Sequence, residues 1–178
     1  MELYGRQASA RGAQGFRVWP VVLLVASVAL APGGAQARII GWENIGPAGL
    51  RVSSIAVSPS CPDTILAAMD ESDYPVLMRT TDGGASWEVV DDITCRPNDL
   101  TFDGSDPMIA YAADGGQIYR SLDAGAHWTP VSGNIGALSV VVDPYAPRRI
   151  FVGTRWPRDV HFSPDRGESW IRIGIDPG

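Results

Sequence analysis

The side chains of this sequence that are capable of chemistry are mainly aspartates, arginines and tryptophans. Three aspartates, Asp82, Asp123 and Asp165, stand 41 and 42 residues apart. Each is followed two residues later by a glycine and five residues later by a tryptophan. Carboxylates at so regular a spacing could act as acid–base catalysts, bind calcium, or hold together the turns in which they lie.

The residues around these aspartates favour the structural role. Three octads read [ST]-x-D-x-G-x-x-W, and we call them box 1 (80–87), box 2 (121–128) and box 3 (163–170). An aspartate in a tight turn accepts hydrogen bonds from N–H groups, a glycine permits positive φ, and a tryptophan covers the hairpin. The terminal glutamate of an EF-hand loop is missing. We predict a structural role for Thr80, Asp82, Gly84, Trp87, Ser121, Asp123, Gly125, Trp128, Ser163, Asp165, Gly167 and Trp170.

A second group of side chains lies in predicted loops outside the boxes. Arg155, Trp156 and Arg158 would place an aromatic ring between two guanidinium groups, which suits a sugar ring or a carboxylate. The alternative is a surface loop whose tryptophan packs on the neighbouring repeat. Arg51 and Arg96 lie near the starts of predicted inner strands and could join the loop arginines in a carboxylate-binding cluster. These five residues are the candidate ligand-binding set.

The remaining residues assign no catalytic mechanism. His127 and His161 are isolated, so they form neither a metal-binding spacing nor a catalytic triad. Glycoside hydrolysis requires two carboxylates roughly 5 to 10 Å apart. The sequence does not place any two of the candidate carboxylates at that separation; they are Asp92, Asp99, Asp114 and Asp159. We predict no cofactor and no metal site, and the identity of any catalytic residue stays open.

The elements that position these side chains recur with a period near 40 residues. Two short apolar runs precede each box, a third run enters it and a fourth leaves it. Such runs, bounded by Gly, Pro and Asp, predict β-strands, and four strands per period are typical of propeller blades. The sequence therefore predicts an all-β fold of three four-stranded antiparallel blades, at about 51–91, 96–132 and 136–174.

The boxes resemble the BNR repeat, or Asp-box, of sialidases, xyloglucan-degrading glycosidases, sortilin-type receptors and the photosystem II assembly factor family. The resemblance covers about 42–173 and implies a β-propeller. In those families the boxes lie at the periphery, away from the binding site. Catalysts and binding proteins share the repeat, so it implies no particular activity. The sequence lacks an Arg-Ile-Pro motif of the sialidase kind, which counts against sialidase activity.

The N-terminus has the features of a secretory signal peptide. Three arginines precede the uncharged stretch 18–31, and a Pro-Gly-Gly sequence and the small-x-small pattern Ala35-Gln36-Ala37 follow it. Fourteen residues are fewer than the about 20 that a membrane span requires. We predict that residues 1–37 are a signal peptide and that the mature chain, 38–178, is secreted or periplasmic with no stable membrane span.

Charge and the start of the mature chain indicate which partners to expect. The net charge of −6, with arginine as the only basic residue type apart from histidine, argues against nucleic acid. The segment 42–45 resembles 87–90, the predicted outer strand of the first blade, but no inner strands precede it. We expect an orphan outer strand on a partial propeller, and therefore a fragment whose apolar blade faces favour self-association.

These observations favour a secreted, non-catalytic scaffold that binds or assembles other molecules. Its ligand, a glycan or a protein, would bind the upper face, which the loops opposite the boxes form. The alternative is a part of an extracytoplasmic glycoside hydrolase, sialidase-like or xyloglucanase-like. An enzyme would require paired carboxylates and arginines on the upper loops, whereas the sequence mostly shows the blade consensus.

Overall fold

The computed structural model divides the chain into two units, residues 1–42 and 43–178. It describes residues 45–46, 51–70, 75–90, 96–156 and 158–174, all within the second unit. The predicted signal peptide and residues 42–44 of the predicted orphan strand lie outside these ranges. Within them, no helix is long and apolar enough to span a membrane.

The described residues form twelve β-strands in three four-stranded antiparallel sheets. The strands are β1 (Arg51–Val57), β2 (Ile65–Asp70), β3 (Pro75–Thr80), β4 (Glu88–Val90), β5 (Asp99–Phe102), β6 (Ala110–Ala113), β7 (Ile118–Ser121), β8 (Thr129–Pro130), β9 (Ala137–Val142), β10 (Ile150–Thr154), β11 (Val160–Ser163) and β12 (Ile171–Ile173). Strands consecutive in sequence are neighbours in each sheet. The predicted all-β fold of three blades is confirmed, and we call the sheets blades 1, 2 and 3.

The core lies between successive blades rather than within one sheet. The first apolar cluster joins the two facing sides of blades 1 and 2, and its residues are Ala56, Leu66, Ala68, Leu77, Val90, Leu100, Phe102, Ala110, Ala112 and Trp128. The second joins blades 2 and 3, and its residues are Ile109, Tyr111, Ala113, Ile118, Ala137, Val140, Val142, Ile150 and Val152. Because side chains alternate across a strand, β6 of blade 2 contributes to both clusters. Ala110 and Ala112 face blade 1, and Tyr111 and Ala113 face blade 3. The first strands β1, β5 and β9 contact one another in sequence order, as the innermost strands of propeller blades do.

Each end blade has one face without a blade against it among the described residues. On blade 3, Val141, Phe151 and Ile171 are exposed, and the ring of Phe151 lies 5.0 Å from that of Phe162 between centroids. These residues are cross-strand neighbours on one side of the sheet. We call this side the outer face of blade 3.

Ile45 is the one described residue of the predicted orphan strand. Its carbonyl oxygen accepts a hydrogen bond from the indole N–H of Trp87 in box 1 at 2.8 Å. The carbonyl of Val131, which directly follows β8 of blade 2, accepts the same bond from Trp170 in box 3 at 2.8 Å. Ile45 thus occupies beside box 1 the place that Val131 occupies beside box 3, but it is not part of a strand in the structure, and the orphan strand stays a prediction.

Candidate functional site

The three boxes form the same hydrogen-bonded turn at the lower end of each blade. In box 1 the hydroxyl of Thr80 donates to Asp82 Oδ1 at 2.7 Å and accepts the N–H of Gly84 at 3.1 Å. The carboxylate of Asp82 also accepts the N–H and the hydroxyl of Ser86, at 2.9 and 2.6 Å. Box 3 repeats this pattern. Box 2 repeats it except that the ring Nδ1 of His127, 2.6 Å from Asp123 Oδ2, replaces the serine hydroxyl. The buried N–H group of the box glycine is therefore satisfied by the Ser/Thr hydroxyl. The aspartate, which was expected to accept the turn N–H groups, accepts the exposed one four residues after it.

The residue before each box glycine ties the turn to the rest of its blade. Gly83, Ala124 and Arg166 have φ of 71°, 58° and 63°, the left-handed region that non-glycine residues rarely adopt. Their N–H groups donate to the carbonyls of the turn between the blade's first two strands, at 2.8 to 2.9 Å. These backbone bonds offset the cost of the unusual conformation, so both lower turns of a blade form one unit.

Arginines that the sequence analysis did not single out connect successive blades at this end. Arg79 Nε donates to the carbonyl of Ala124 in box 2 at 2.9 Å, and Arg120 Nη1 donates to the carbonyl of Arg166 in box 3 at 2.9 Å. Each arginine directly precedes a box, which is the signal that could have revealed them. Phe162 stands at this position before box 3. The two inter-blade bonds thus depend on a residue that only two of the three repeats possess.

The box aspartates are held in their charged form. The hydroxyl of Ser86, followed by that of Thr80, lowers the pKa of Asp82 to about 2. Burial acts to raise the pKa of Asp123, but the N–H group and the ring of His127 outweigh it, so that this pKa also falls to about 2. The hydroxyl of Ser169 lowers the pKa of Asp165. Carboxylates with such pKa values are poor proton donors or acceptors near neutral pH.

Tyr111 is a buried titratable residue between blades 2 and 3. Burial raises the pKa of its phenol to about 12, so the hydroxyl is neutral at ordinary pH. Its side chain is fully buried and is a cross-strand neighbour of Arg120. A phenol enclosed in this way is part of the apolar core between blades 2 and 3.

The loops at the opposite, upper end are joined by backbone hydrogen bonds. The N–H of Gly115, between β6 and β7, donates to the carbonyl of Ala137 at 2.7 Å. The N–H of Ile135 donates to the carbonyl of Gly116 at 2.9 Å, and that of Arg155 donates to the carbonyl of Gly136 at 2.9 Å. The upper loops of blades 2 and 3 therefore form one continuous hydrogen-bonded surface.

The candidate ligand-binding residues are only partly brought together on this surface. Trp156 is 71% exposed, and the guanidinium carbon of Arg158 lies 5.2 Å from the centre of its ring. Arg155 is exposed beside them. Arg51, at the start of β1, and Arg96, before β5, are also exposed. The structure thus brings Arg158 onto Trp156 as a cation–π pair, whereas a cluster that includes Arg51 or Arg96 stays a prediction.

Three of the four candidate catalytic carboxylates already have structural partners. Asp99 accepts the N–H groups of Leu100 and Val140, both at 3.0 Å. Asp114 accepts N–H groups in its own turn at 2.6 and 2.7 Å. Asp159 is buried and paired with Arg172 at 2.5 to 2.7 Å. Asp92 lies outside the described residues. Within the described ranges, moreover, no three His, Cys, Asp or Glu side chains are grouped to hold a metal ion.

An open groove of about 500 Å³ lies at the side of the molecule, between β8 and box 3. It is lined by Gln117, Arg120, Thr129, Pro130, Val131, Ser132, Gly133, Gly167, Glu168 and Trp170. Sequence reasoning missed this groove, because its lining comes from two blades. Trp170 was identified as a box residue, but nothing in the motif shows that its ring reaches a groove.

Comparisons with known proteins agree with the blade architecture. No protein-family model matches the chain. It is 38% identical over 72 residues to the vacuolar protein sorting/targeting protein 10 of Mycosarcoma maydis. The matched residues cover 39% of this chain and 5% of that protein. The chain therefore spans about a twentieth of this curated relative.

Solved structures extend the likeness to most of the chain. The GH74 xyloglucanase from Xanthomonas campestris shares 21% identity at a TM-score of 0.59, over 71% of this chain and 24% of that one. The GH74 enzyme from Niastella koreensis shares 19% identity at a TM-score of 0.59, over 70% of this chain and 23% of that one. YCF48 from Cyanidioschyzon merolae shares 19% identity at a TM-score of 0.56, over 69% of this chain and 37% of that one.

These likenesses, together with the three blades, define the class of the protein. It has the fold of BNR-like β-propellers, as the resemblance of the boxes implies. The class contains GH74 enzymes as well as YCF48 and the sorting protein, and at such identities the structural likeness shows the fold alone. The three described blades span only part of the length of each of these relatives.

Proposed function

We propose that this protein is a secreted, non-catalytic propeller scaffold that binds a protein ligand through the upper loop of blade 3. The exposed Trp156–Arg158 pair is the observation on which the proposal rests. Tryptophan and arginine are the residues most often found at the energetic centres of protein interfaces. In a chain of net charge −6, this loop also supplies three side chains within four positions, Arg155, Trp156 and Arg158, that suit an acidic or aromatic partner group.

The surrounding structure supports a binding role. The loop is anchored by two backbone bonds, from the N–H of Arg155 to the carbonyl of Gly136 at 2.9 Å and from the N–H of Thr154 to the carbonyl of Asp159 at 3.0 Å. The N–H of Asp159 also donates to the hydroxyl of Thr154 at 3.1 Å. An anchored loop loses little conformational entropy on binding, which favours affinity. Among the solved structures of similar fold, one is of YCF48 bound to a D1 peptide and another of a nidogen/laminin complex. Those structures show that propellers of this kind bind protein ligands, which supports the same role here.

A peptide-display screen tests the proposal with matched variants. Peptides selected on the secreted protein should lose at least tenfold in affinity for Trp156→Ala and Arg158→Ala, the loss expected for a hot-spot residue. Tyr145→Ala is the control, since Tyr145 is a 97% exposed aromatic residue in a lower turn. Selected peptides that bind the Trp156 and Tyr145 variants equally well would refute the upper-loop site.

The alternative function is a part of a glycoside hydrolase, and the likeness to the GH74 fold favours it. The structural partners of Asp99, Asp114 and Asp159 argue against it, because a catalytic carboxylate must be free to contact the substrate. Turnover of a fluorogenic xyloglucan oligosaccharide or of a fluorogenic sialoside by the secreted protein would overturn the scaffold proposal. We expect neither substrate to be hydrolysed above the rate of an Asp114→Asn, Asp159→Asn variant.

A further inference from the structure

The groove between β8 and box 3 exists because the outer strand of blade 2 is short. β8 has two residues, and Pro130 has no N–H group with which to extend the ladder. Beyond it the hydroxyl of Ser132, rather than a strand carbonyl, accepts the N–H of Ile118 at 2.8 Å. The chain thus leaves regular strand pairing next to box 3, and the polar edges of Gln117 and Ser132 line the opening.

The side chain of Trp170 lines this groove and also packs against the apolar cluster between blades 2 and 3. Its indole N–H is already bonded to the carbonyl of Val131, so the side chain has no remaining hydrogen-bond donor. A Cβ atom on Gly167, at φ of 93°, would lie 2.9 Å from Val131 Cγ2, so the glycine allows box 3 to approach Val131 closely. What Trp170 offers to a ligand is therefore a positioned apolar surface.

The charged groups of the groove neutralise each other. Arg120 Nη1 lies 2.8 Å from Glu168 Oε1, and the Glu168 side chain is 67% exposed. Arg120 is also bonded to the carbonyl of Arg166, so its terminal nitrogen faces protein acceptors. The polar side chains that line the groove and can bond a ligand include the exposed carboxylate of Glu168 and the amide of Gln117. This combination does not suit an anion, which the carboxylate would repel.

The corresponding place beside box 2 is closed. Trp128 is only 6% exposed, and its indole N–H donates to the carbonyl of Gly125 in its own box at 2.9 Å. A Cβ atom on Gly125 would lie 2.5 Å from Leu66 Cδ2, since Leu66 of blade 1 fills that position. The groove is consequently a feature of the junction between blades 2 and 3 and not a general property of the repeat.

We propose that this groove binds a neutral oligosaccharide, with one sugar ring stacked on Trp170 and its hydroxyls bonded to Gln117 and Glu168. The C–H face of a pyranose ring is apolar and its rim is polar, which matches an aromatic face flanked by an amide and a carboxylate. A volume of about 500 Å³ is within the range of small-molecule sites. The site is separate from the upper-loop site and does not depend on the proposed function.

Fluorine NMR of the secreted protein labelled with 5-fluorotryptophan tests this site. Cellotetraose and maltotetraose are the neutral probes, and sialyllactose is the anionic probe. At least one neutral probe should shift the resonance of Trp170, which Trp170→Phe identifies by its loss, and sialyllactose should not. Gln117→Ala and Glu168→Gln should weaken the binding of that probe by about five- to tenfold, the loss expected for one hydrogen bond.

Glu88→Gln is the control, because Glu88 is a similarly exposed glutamate that pairs with an arginine directly before a box but lies in blade 1, away from the groove. It should leave the affinity unchanged. The proposal is overturned if no neutral probe shifts the Trp170 resonance, if sialyllactose binds as well as they do, or if Glu88→Gln weakens binding as much as Glu168→Gln. A shift of the Trp156 resonance alone would also overturn it, and would instead place sugar binding on the upper loop.

Discussion

The hydroxyl of Ser121 holds the buried side of box 2, and its removal should destabilise the protein more than removal of the box aspartate. Ser121 is fully buried, and its oxygen accepts the buried N–H of Gly125 at 2.8 Å. Ser121→Ala leaves that donor without an acceptor, which costs about 1 to 3 kcal/mol. The same hydroxyl accepts a long bond from the N–H of Asp123 at 3.3 Å, which adds little, and donates to Asp123 Oδ1 at 2.8 Å. The loss of the donated bond costs less than the loss of the buried one, because the partly exposed carboxylate can bond water instead. We therefore expect a loss of about 2 kcal/mol in the free energy of unfolding.

Asp123→Ala should cost only about 1 kcal/mol, because the carboxylate bonds the exposed N–H of His127, which water can reach. Urea denaturation followed by tryptophan fluorescence measures both losses, with unchanged m-values as the test of two-state behaviour. Ser163→Ala should match Ser121→Ala, since its hydroxyl accepts the N–H of Gly167 at 2.7 Å. Exposed Ser60 supplies the control substitution. If Asp123→Ala proves more damaging than Ser121→Ala, the carboxylate rather than the hydroxyl holds the turn.

Three further predictions concern pH, the inter-blade bonds and the outer face of blade 3. The folded-state pKa values of the box aspartates lie below the unfolded value of 3.8, so their stabilisation is complete above about pH 4 and is lost as the pH falls towards 2; urea midpoints that stay constant from pH 6 to pH 2 would contradict this. Arg120→Met should lower the free energy of unfolding in urea by about 1 to 3 kcal/mol, because it leaves the carbonyl of Arg166 without its charged donor. Glu88→Gln, which changes only an exposed pair partner, should cost less than about 0.5 kcal/mol. Phe162→Arg should reduce the self-association expected of residues 38–178 in analytical ultracentrifugation and their binding of a hydrophobic dye, because it places a charge among exposed apolar side chains; unchanged sedimentation would contradict it.

The strands were predictable because the information that specifies them is local. Each strand is a short apolar run between turn residues, and the run repeats three times at nearly the same spacing. The predicted outer strand of blade 1 begins at Trp87, whereas β4 begins at Glu88, a difference of one residue. The turn geometry of the boxes was predictable for the same reason, since glycine at positive φ and a carboxylate acceptor are local requirements.

The inter-blade bonds were not predictable, because each needs two residues more than 40 positions apart. Nothing in the sequence near Arg79 indicates that the carbonyl of Ala124 lies within its reach. The arginine before boxes 1 and 2 was a visible regularity, but the phenylalanine before box 3 interrupts it. The candidate cluster of Arg51 and Arg96 with the upper loop was an inference of the same long-range kind, and it stays a prediction.

The different hydrogen-bond partners and burial of the box tryptophans show why the function of such a repeat depends on residues outside its motif. Trp128 and Trp170 occupy the same motif position, yet one bonds to its own box and the other to the preceding blade. Leu66 lies against the glycine of box 2, whereas Val131 lies against that of box 3. The residue that decides whether the ring is buried or borders a groove therefore belongs to the preceding blade, where the motif imposes no identity. A ligand site can then arise at one blade junction through Pro130, outside the boxes, and Glu168, at a variable position of box 3, without any change in the four repeated residues of the box. These non-repeated positions are the ones to mutate in a search for function.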